Sequence, residues 1–329
     1  MRRFLILVMA CAIGLSVSAQ KKRIAITSTG ENLNALTQVT DNEYPCITPF
    51  GGDNGQNLYY AVCEKGKYYN IFKKENAFAA ASIQKTSGNN KNISPCFCPA
   101  TDKIAFKCQN EGMSTSDIFM MSNTKGKALS QITETSNAYE GNPCFSKDGS
   151  VIYYDKQSYT AFKKFNFFSS LFGLGEDVTI VEKSEIWMKN LKTGENVLLG
   201  SGYQPQVSPD GTKLAFVKYS SDAKSCGIWV MDIDGTNPVQ LTDSKKGYAF
   251  YPRWSPDGTH IIFQSTKKDK KDADIYVIDI DGNNLVQLTT NTSHDGTPYW
   301  TNDGYVYFVS DRGCQKGNYQ IWRFRISLE

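Results

Sequence analysis

A sequence that repeats itself at a fixed interval folds as a stack or ring of like units, and this one repeats. The clearest copies are YPRWSPDGTHIIF (251–263) and YQPQVSPDGTKLAF (203–216). They are followed at matched distances by DIYVIDIDGNNLVQLT (274–289) and GIWVMDIDGTNPVQLT (227–242). Weaker copies are NPCFSKDGSVIYY (142–154), SPCFCPATDKIAF (94–106), TPYWTNDGYVYF (297–308) and a degenerate YPCITPFGGDNGQNLYY (44–60). Alignment on a leading proline gives Pro45, Pro95, Pro143, Pro205, Pro252 and Pro298, hence six units at spacings of 50, 48, 62, 47 and 46 residues by subtraction.

Each unit reads as strands. A short β-rich segment follows the proline, and Pro-Asp-Gly then supplies a tight turn, because proline presets φ and glycine accepts a positive φ. A second strand such as Ile261-Ile262-Phe263 comes next, then an alternating third over 275–280, and Asp281-Gly282 turns the chain into 285–288. Four antiparallel strands per period of roughly 45 residues make a propeller blade. The expected fold is therefore all-β, a six-bladed propeller of four-stranded antiparallel blades. The sixth unit reads only to its third strand, 320–326, and a fourth is available on the N-terminal side, in 23–27 or 36–39. The second is favoured, since Leu36-Thr37 aligns with Leu241-Thr242 and Leu288-Thr289. Such pairing would close the ring and remove an exposed edge.

The repeated SPDG at 208–211 and 255–258, the Ile-Trp/Tyr-Val-Met/Ile-Asp strands and the closing Gln-Leu-Thr resemble the repeat of the TolB-type propeller family. The resemblance extends over the mature chain, most strongly in units four and five. It implies a six-bladed ring, export in many members and partner binding through the ring faces. The family includes the periplasmic propeller of the Tol envelope system and the propeller domains attached to prolyl-oligopeptidase-type hydrolases. The Tol protein carries a separate α/β domain ahead of its propeller, for which residues 20–329 leave no room, so a role in the Tol system itself is not expected.

The first residues read as a secretory signal. Arg2 and Arg3 precede an apolar run over 4–15, and Val17-Ser18-Ala19 forms a small-residue cleavage site. This gives a signal peptide at 1–19 and one domain at 20–329, with a periplasmic location. Cys11 lies inside the apolar run and reads as part of it rather than as a lipid attachment point. No later stretch is apolar and long enough to span a membrane. Without Arg2 and Arg3 the basic count falls from 36 to 34 against 33 acidic residues, a formal charge of +1, which argues against nucleic acid as a partner. Of nine cysteines, eight follow the signal. Cys46, Cys96 and Cys144 each sit after the leading proline and, related by rotation, point along equivalent directions instead of at one another. They read as small buried apolar side chains. No zinc-ligand spacing occurs, and neither a metal nor another cofactor is expected.

Candidate ligand-binding residues lie in the loops entering each first strand, because function on such scaffolds resides in loops. Glu43, Glu140, His294 and Asp295 are candidates to converge at the mouth of the central channel, where carboxylates and an imidazole suit a cation or polar ligand. Tyr203 and Tyr251 on the same rim could stack on a sugar or pack between blades. The third unit carries an insertion at 156–183 whose Phe162, Phe165, Phe168 and Phe172 approximate one face of a short helix. These four residues are candidates for contact with a partner, or for a private mini-core. Lys267, Lys268, Lys270 and Lys271 mark the matching loop of unit five. No Gly-x-Ser-x-Gly elbow or phosphate loop is present, and Asp232, Asp234, Asp279 and Asp281 occupy turn positions. The expected function is a non-enzymatic interaction scaffold of the bacterial envelope with a protein partner. The alternative is a carbohydrate-binding or carbohydrate-processing propeller with a glycan at the channel mouth.

Overall fold

The computed structural model describes residues 33, 35–51, 56–64, 66–124, 128–158, 183–221, 225–243, 247–267, 272–314 and 317–326. The signal region 1–19, the insertion residues 159–182 with Phe162, Phe165, Phe168 and Phe172, and Lys268, Lys270 and Lys271 lie outside these described residues.

Every described element is a β-strand. The first unit comprises β2 (Cys46–Phe50), β3 (Gln56–Glu64), β4 (Tyr68–Asn76) and β5 (Ile83–Gln84). The second has β6 (Lys91–Cys98), β7 (Lys103–Gln109), β8 (Asp117–Ser122) and β9 (Ser130–Gln131). The third has β10 (Ala138–Phe145), β11 (Val151–Ser158), β12 (Lys183–Asn190) and β13 (Asn196–Ser201), and the fourth β14 (Tyr203–Val207), β15 (Lys213–Tyr219), β16 (Cys226–Asp232) and β17 (Val239–Gln240). The fifth has β18 (Gly247–Trp254), β19 (His260–Lys267), β20 (Asp274–Asp279) and β21 (Val286–Gln287). In the last unit β22 (Asp295–Trp300), β23 (Tyr305–Ser310) and β24 (Gln320–Arg325) are joined by β1 (Thr37–Gln38). Within each unit neighbouring strands pair antiparallel. Tyr69↔Lys91, Ser116↔Tyr139 and Cys226↔Tyr248 add single parallel pairings from the third strand of one unit, or for Ser116 the residue just before it, to the first strand of the next.

The N-terminal strand pairs where the Leu-Thr alignment pointed, with Thr37 opposite Arg323 and Gln38 opposite Trp322. Beyond it Val39 N–H donates to Ile321 O at 2.7 Å. The Thr40 hydroxyl donates to Gln320 Oε1 and accepts from Ile321 N–H, both at 2.8 Å. The apolar core is layered between successive units. One layer holds Val39, Cys46, Leu58 and Tyr60 against Tyr307, Val309, Tyr319 and Ile321, so the last unit packs on the first.

The first strand of every unit carries the same irregularity. Its register shifts at an X-Pro pair: Thr48-Pro49, Ser94-Pro95, Asn142-Pro143, Gln204-Pro205, Tyr251-Pro252 and Thr297-Pro298. Proline suits a bulge because it has no N–H to leave unpaired. The residue before it adopts a left-handed φ of 49°, 53°, 47°, 55°, 53° and 44° in that order. This irregularity corrects the repeat alignment in the first unit, where Pro49 and not Pro45 is equivalent to the other prolines. The spacings become 46, 48, 62, 47 and 46 by subtraction, which removes the anomalous first interval. Cys46 is accordingly not equivalent to Cys96 and Cys144; the matching residue is Phe50. All eight cysteines after the signal are free thiols, and all but the half-buried Cys314 are buried.

Candidate functional site

A bulge in an inner strand leaves a backbone N–H with no ladder partner, and a buried N–H must be paired. Here the preceding unit supplies the acceptor. Ser94 N–H donates to Thr48 Oγ1 at 3.2 Å, Gln204 N–H to Asp155 Oδ2 at 2.7 Å, Tyr251 N–H to Gln204 Oε1 at 2.7 Å and Thr297 N–H to Gln264 Oε1 at 3.1 Å. Ser94 Oγ–H to Asn142 Oδ1 (3.2 Å) and Asn142 Nδ2–H to Asp155 Oδ2 (2.8 Å) extend this belt. Lys107 and Asp155 occupy matching places in their second strands, opposite Ile93 and Gly141. Both close around Gly141, where an added Cβ would lie 3.1 Å from Lys107 Cδ and 3.4 Å from Asp155 Oδ1. Burial lowers the Lys107 ammonium to about 8, with Asp155 opposing, and burial likewise raises the Asp155 carboxyl.

The candidate residues fall into separate environments. Glu43 is exposed on the segment before β2. Tyr203 and Tyr251 are buried; Tyr203 stacks on Tyr219 at 5.0 Å and tilts against Phe250 at 6.3 Å, so it packs between the fourth and fifth units. His294 is buried, with its ring edge-on to Tyr319 at 5.6 Å, and burial drops its imidazolium to about 4. Asp295 is enclosed, taking Ser310 Oγ–H on Oδ1 and Arg312 Nη2–H on Oδ2, each at 2.5 Å. Burial still pushes its carboxyl up to about 6, against the pull of Arg312. No contact links Glu43, Glu140 and Asp295 among the described residues, nor do these residues contain a group of three or more His, Cys, Asp or Glu able to hold a metal.

Glu140 stands apart from the others. It lies at the start of β10 on a groove of about 510 Å³ between the second and third units, walled by Gln131, Thr135, Tyr154, Lys156, Trp187 and Asn196. It is 2% exposed, its Oε1 accepts from Thr135 Oγ1 at 2.7 Å and meets Lys156 Nζ at 3.5 Å, and its Oε2 has no partner. Asp117, beside it, is pushed up to about 6, chiefly by burial. β11 and β12, on either side of the insertion, supply Tyr154, Lys156 and Trp187, which places the groove on the unit that carries the insertion.

Sequence reasoning passed over Lys107, Asp155, Gln264 and Arg253. The first three share one signal, a polar residue directly after a buried aromatic in the second strand (Phe106-Lys107, Tyr154-Asp155, Phe263-Gln264). Arg253, one residue past Pro252, has a buried Nε with no partner, while Nη1 donates to Pro252 O at 3.1 Å.

Strand order, bulges and layered core define a propeller-type all-β protein. Residues 200–328 match the family described as the TolB beta propeller domain. A putative TolB from Agrobacterium tumefaciens superposes with a TM-score of 0.60 at 18% identity, over 89% of this chain and 97% of that one. TolB from Acinetobacter baumannii gives 0.60 at 18%, over 84% and 66%. An oligogalacturonate lyase in complex with manganese gives 0.59 at 15%, over 93% and 98%. No curated protein sequence matches the chain. The chain has the propeller fold of these TolB structures, and its residues 200–328 carry the sequence pattern of the TolB beta propeller domain. No helix of the described residues is long and apolar enough to cross a membrane.

Proposed function

We propose that this protein is an exported, six-bladed propeller closed by its N-terminal strand, acting without catalysis as a protein-interaction scaffold in the bacterial envelope. The signal at 1–19, the periplasmic location and the single domain at 20–329 are parts of this reading. Support for closure comes from the pairing of β1 with β24 and from the apolar layer joining the last unit to the first. The observation that carries the scaffold reading is the engagement of four polar side chains on the first and second strands. Asp155 receives Asn142 and the Gln204 backbone, Asp295 is held by Arg312, and Gln204 and Gln264 cap neighbouring bulges. Groups so engaged hold the scaffold together, which leaves recognition to the loops.

Phe162, Phe165, Phe168 and Phe172 are the proposed partner contacts. Cross-linking of tagged protein in its own envelope, followed by quantitative mass spectrometry, should recover a defined partner. Replacing all four phenylalanines by serine should reduce that recovery at least tenfold. No partner above background, or equal recovery by both forms, would overturn the reading. A carbohydrate-binding or carbohydrate-processing propeller is the alternative, although its candidate residues Glu43, Glu140, Tyr203, Tyr251, His294 and Asp295 lie in separate environments. Its support is the likeness in fold to an oligogalacturonate lyase.

A further inference from the structure

We propose that the groove between the second and third units binds a neutral saccharide, with Glu140 as its central acceptor. This inference goes beyond the scaffold reading and does not rest on it.

The repeat allows the third and sixth units to be compared position by position. Glu140, opposite Lys156, and Asp295, opposite Ser310, hold the same position two residues before the bulge. In the sixth unit that carboxylate is fully engaged, because Arg312 follows Ser310 by two residues and reaches back to it. The matching residue of the third unit is Ser158, too short to do so. Glu140 is equally enclosed, yet its Oε2 has no hydrogen-bond partner, and the side chain that reaches the carboxylate from β8 is a second acid, Asp117. A buried acceptor left without a donor is destabilising, so a ligand hydroxyl placed there recovers a loss already present in the free protein.

The wall chemistry selects the class of ligand. A volume of about 510 Å³ lies within the range of small-molecule sites. Glu134, Glu140, Lys156 and Lys189 all line it, with Glu140 and Lys156 already paired at 3.5 Å, so an anion meets carboxylates and a cation meets ammonium groups. A neutral polyol offends neither. It donates to Glu140 Oε2 and accepts from lysine and from the Gln131 and Asn196 amides, while Trp187 gives the apolar face of a sugar ring something to lie against.

The test is a neutral-glycan array probed with the purified protein, followed by calorimetric titration of the best glycan. Trigalacturonate and spermidine serve as charged controls. A neutral glycan should bind at 10 mM or below, and Glu140→Gln should weaken it at least tenfold. Gln131→Ala and Asn196→Ala alter exposed wall residues and keep the test open if Glu140→Gln folds poorly; each should weaken binding severalfold. Thermal melts establish that each variant is folded. Three results would overturn the proposal: no neutral glycan on the array binds; folded wall variants bind as wild type does; or a charged control binds more tightly than every neutral glycan. The four-phenylalanine variant should keep its glycan affinity, so failure of the scaffold reading and failure of this one are distinguishable.

Discussion

Three titratable side chains, the buried His294 and Asp295 and the half-buried Asp117, pull against one another over a single pH window. His294 drops to about 4, so between about pH 4 and 6.5 the unfolded chain binds a proton that the folded one refuses, and its contribution makes stability rise with pH. Asp117 and Asp295 rise to about 6, so the folded protein keeps protons that the unfolded chain has released, and their contribution makes stability fall as pH rises through about 4 to 6. His294→Gln removes one side of this opposition. Relative to wild type, the variant should gain about 2–3 kcal/mol as pH falls from 7 to 4. Urea unfolding at pH 7, 5 and 4 measures that gap, and a constant gap would refute the assignment. At this scale the sequence was only partly legible. His294 and Asp295 were visible as polar residues ahead of a proline, but Arg312 and Tyr319, which enclose them, come from other parts of the unit. Glu140 was visible too, whereas its groove was not, because the wall is assembled from the end of one unit and the outer strands of the next.

The X-Pro bulge is the device that makes each element dependent on its neighbour. A left-handed residue before proline costs of order 1–3 kcal/mol in isolation and persists where its surroundings over-determine it. The capping side chains supply that determination. Gln264→Leu keeps much of the side-chain volume but bares Thr297 N–H, and should cost about 1–3 kcal/mol. Gly296→Ala should act through the same bond, since an added Cβ would collide with Gln264 Oε1. Denaturant melts of both variants check the pair; a neutral result for both would mean the caps are dispensable. The prolines were the readable part of this device. In the first unit two of them, Pro45 and Pro49, stand four residues apart and the Pro-Asp-Gly turn is missing, so the eye settles on the wrong one. Backbone φ, which a sequence does not display, resolves the choice.

For the whole molecule, the contacts that join the last unit to the first span the longest separations among the described residues. Thr40 and Gln320 are 280 residues apart, and their side chains bond directly. A chain beginning at residue 41 lacks β1, the buried Val39 and the Thr40 hydroxyl. Compared with one beginning at residue 33, it should lose roughly 4–6 kcal/mol from one buried valine and about three hydrogen bonds. It should also self-associate through the bared edge of β24. Denaturant melts with sedimentation velocity test both effects, and equal behaviour of the two chains would show that β1 carries no weight. The β1–β24 pairing also sets a timetable. Thr37 leaves the ribosome 286 residues before its partner Arg323, by subtraction, which at typical elongation speed is a delay of roughly 15–60 s. Throughout that interval the first strand must stay unpaired, and the unit it belongs to is the last to be born.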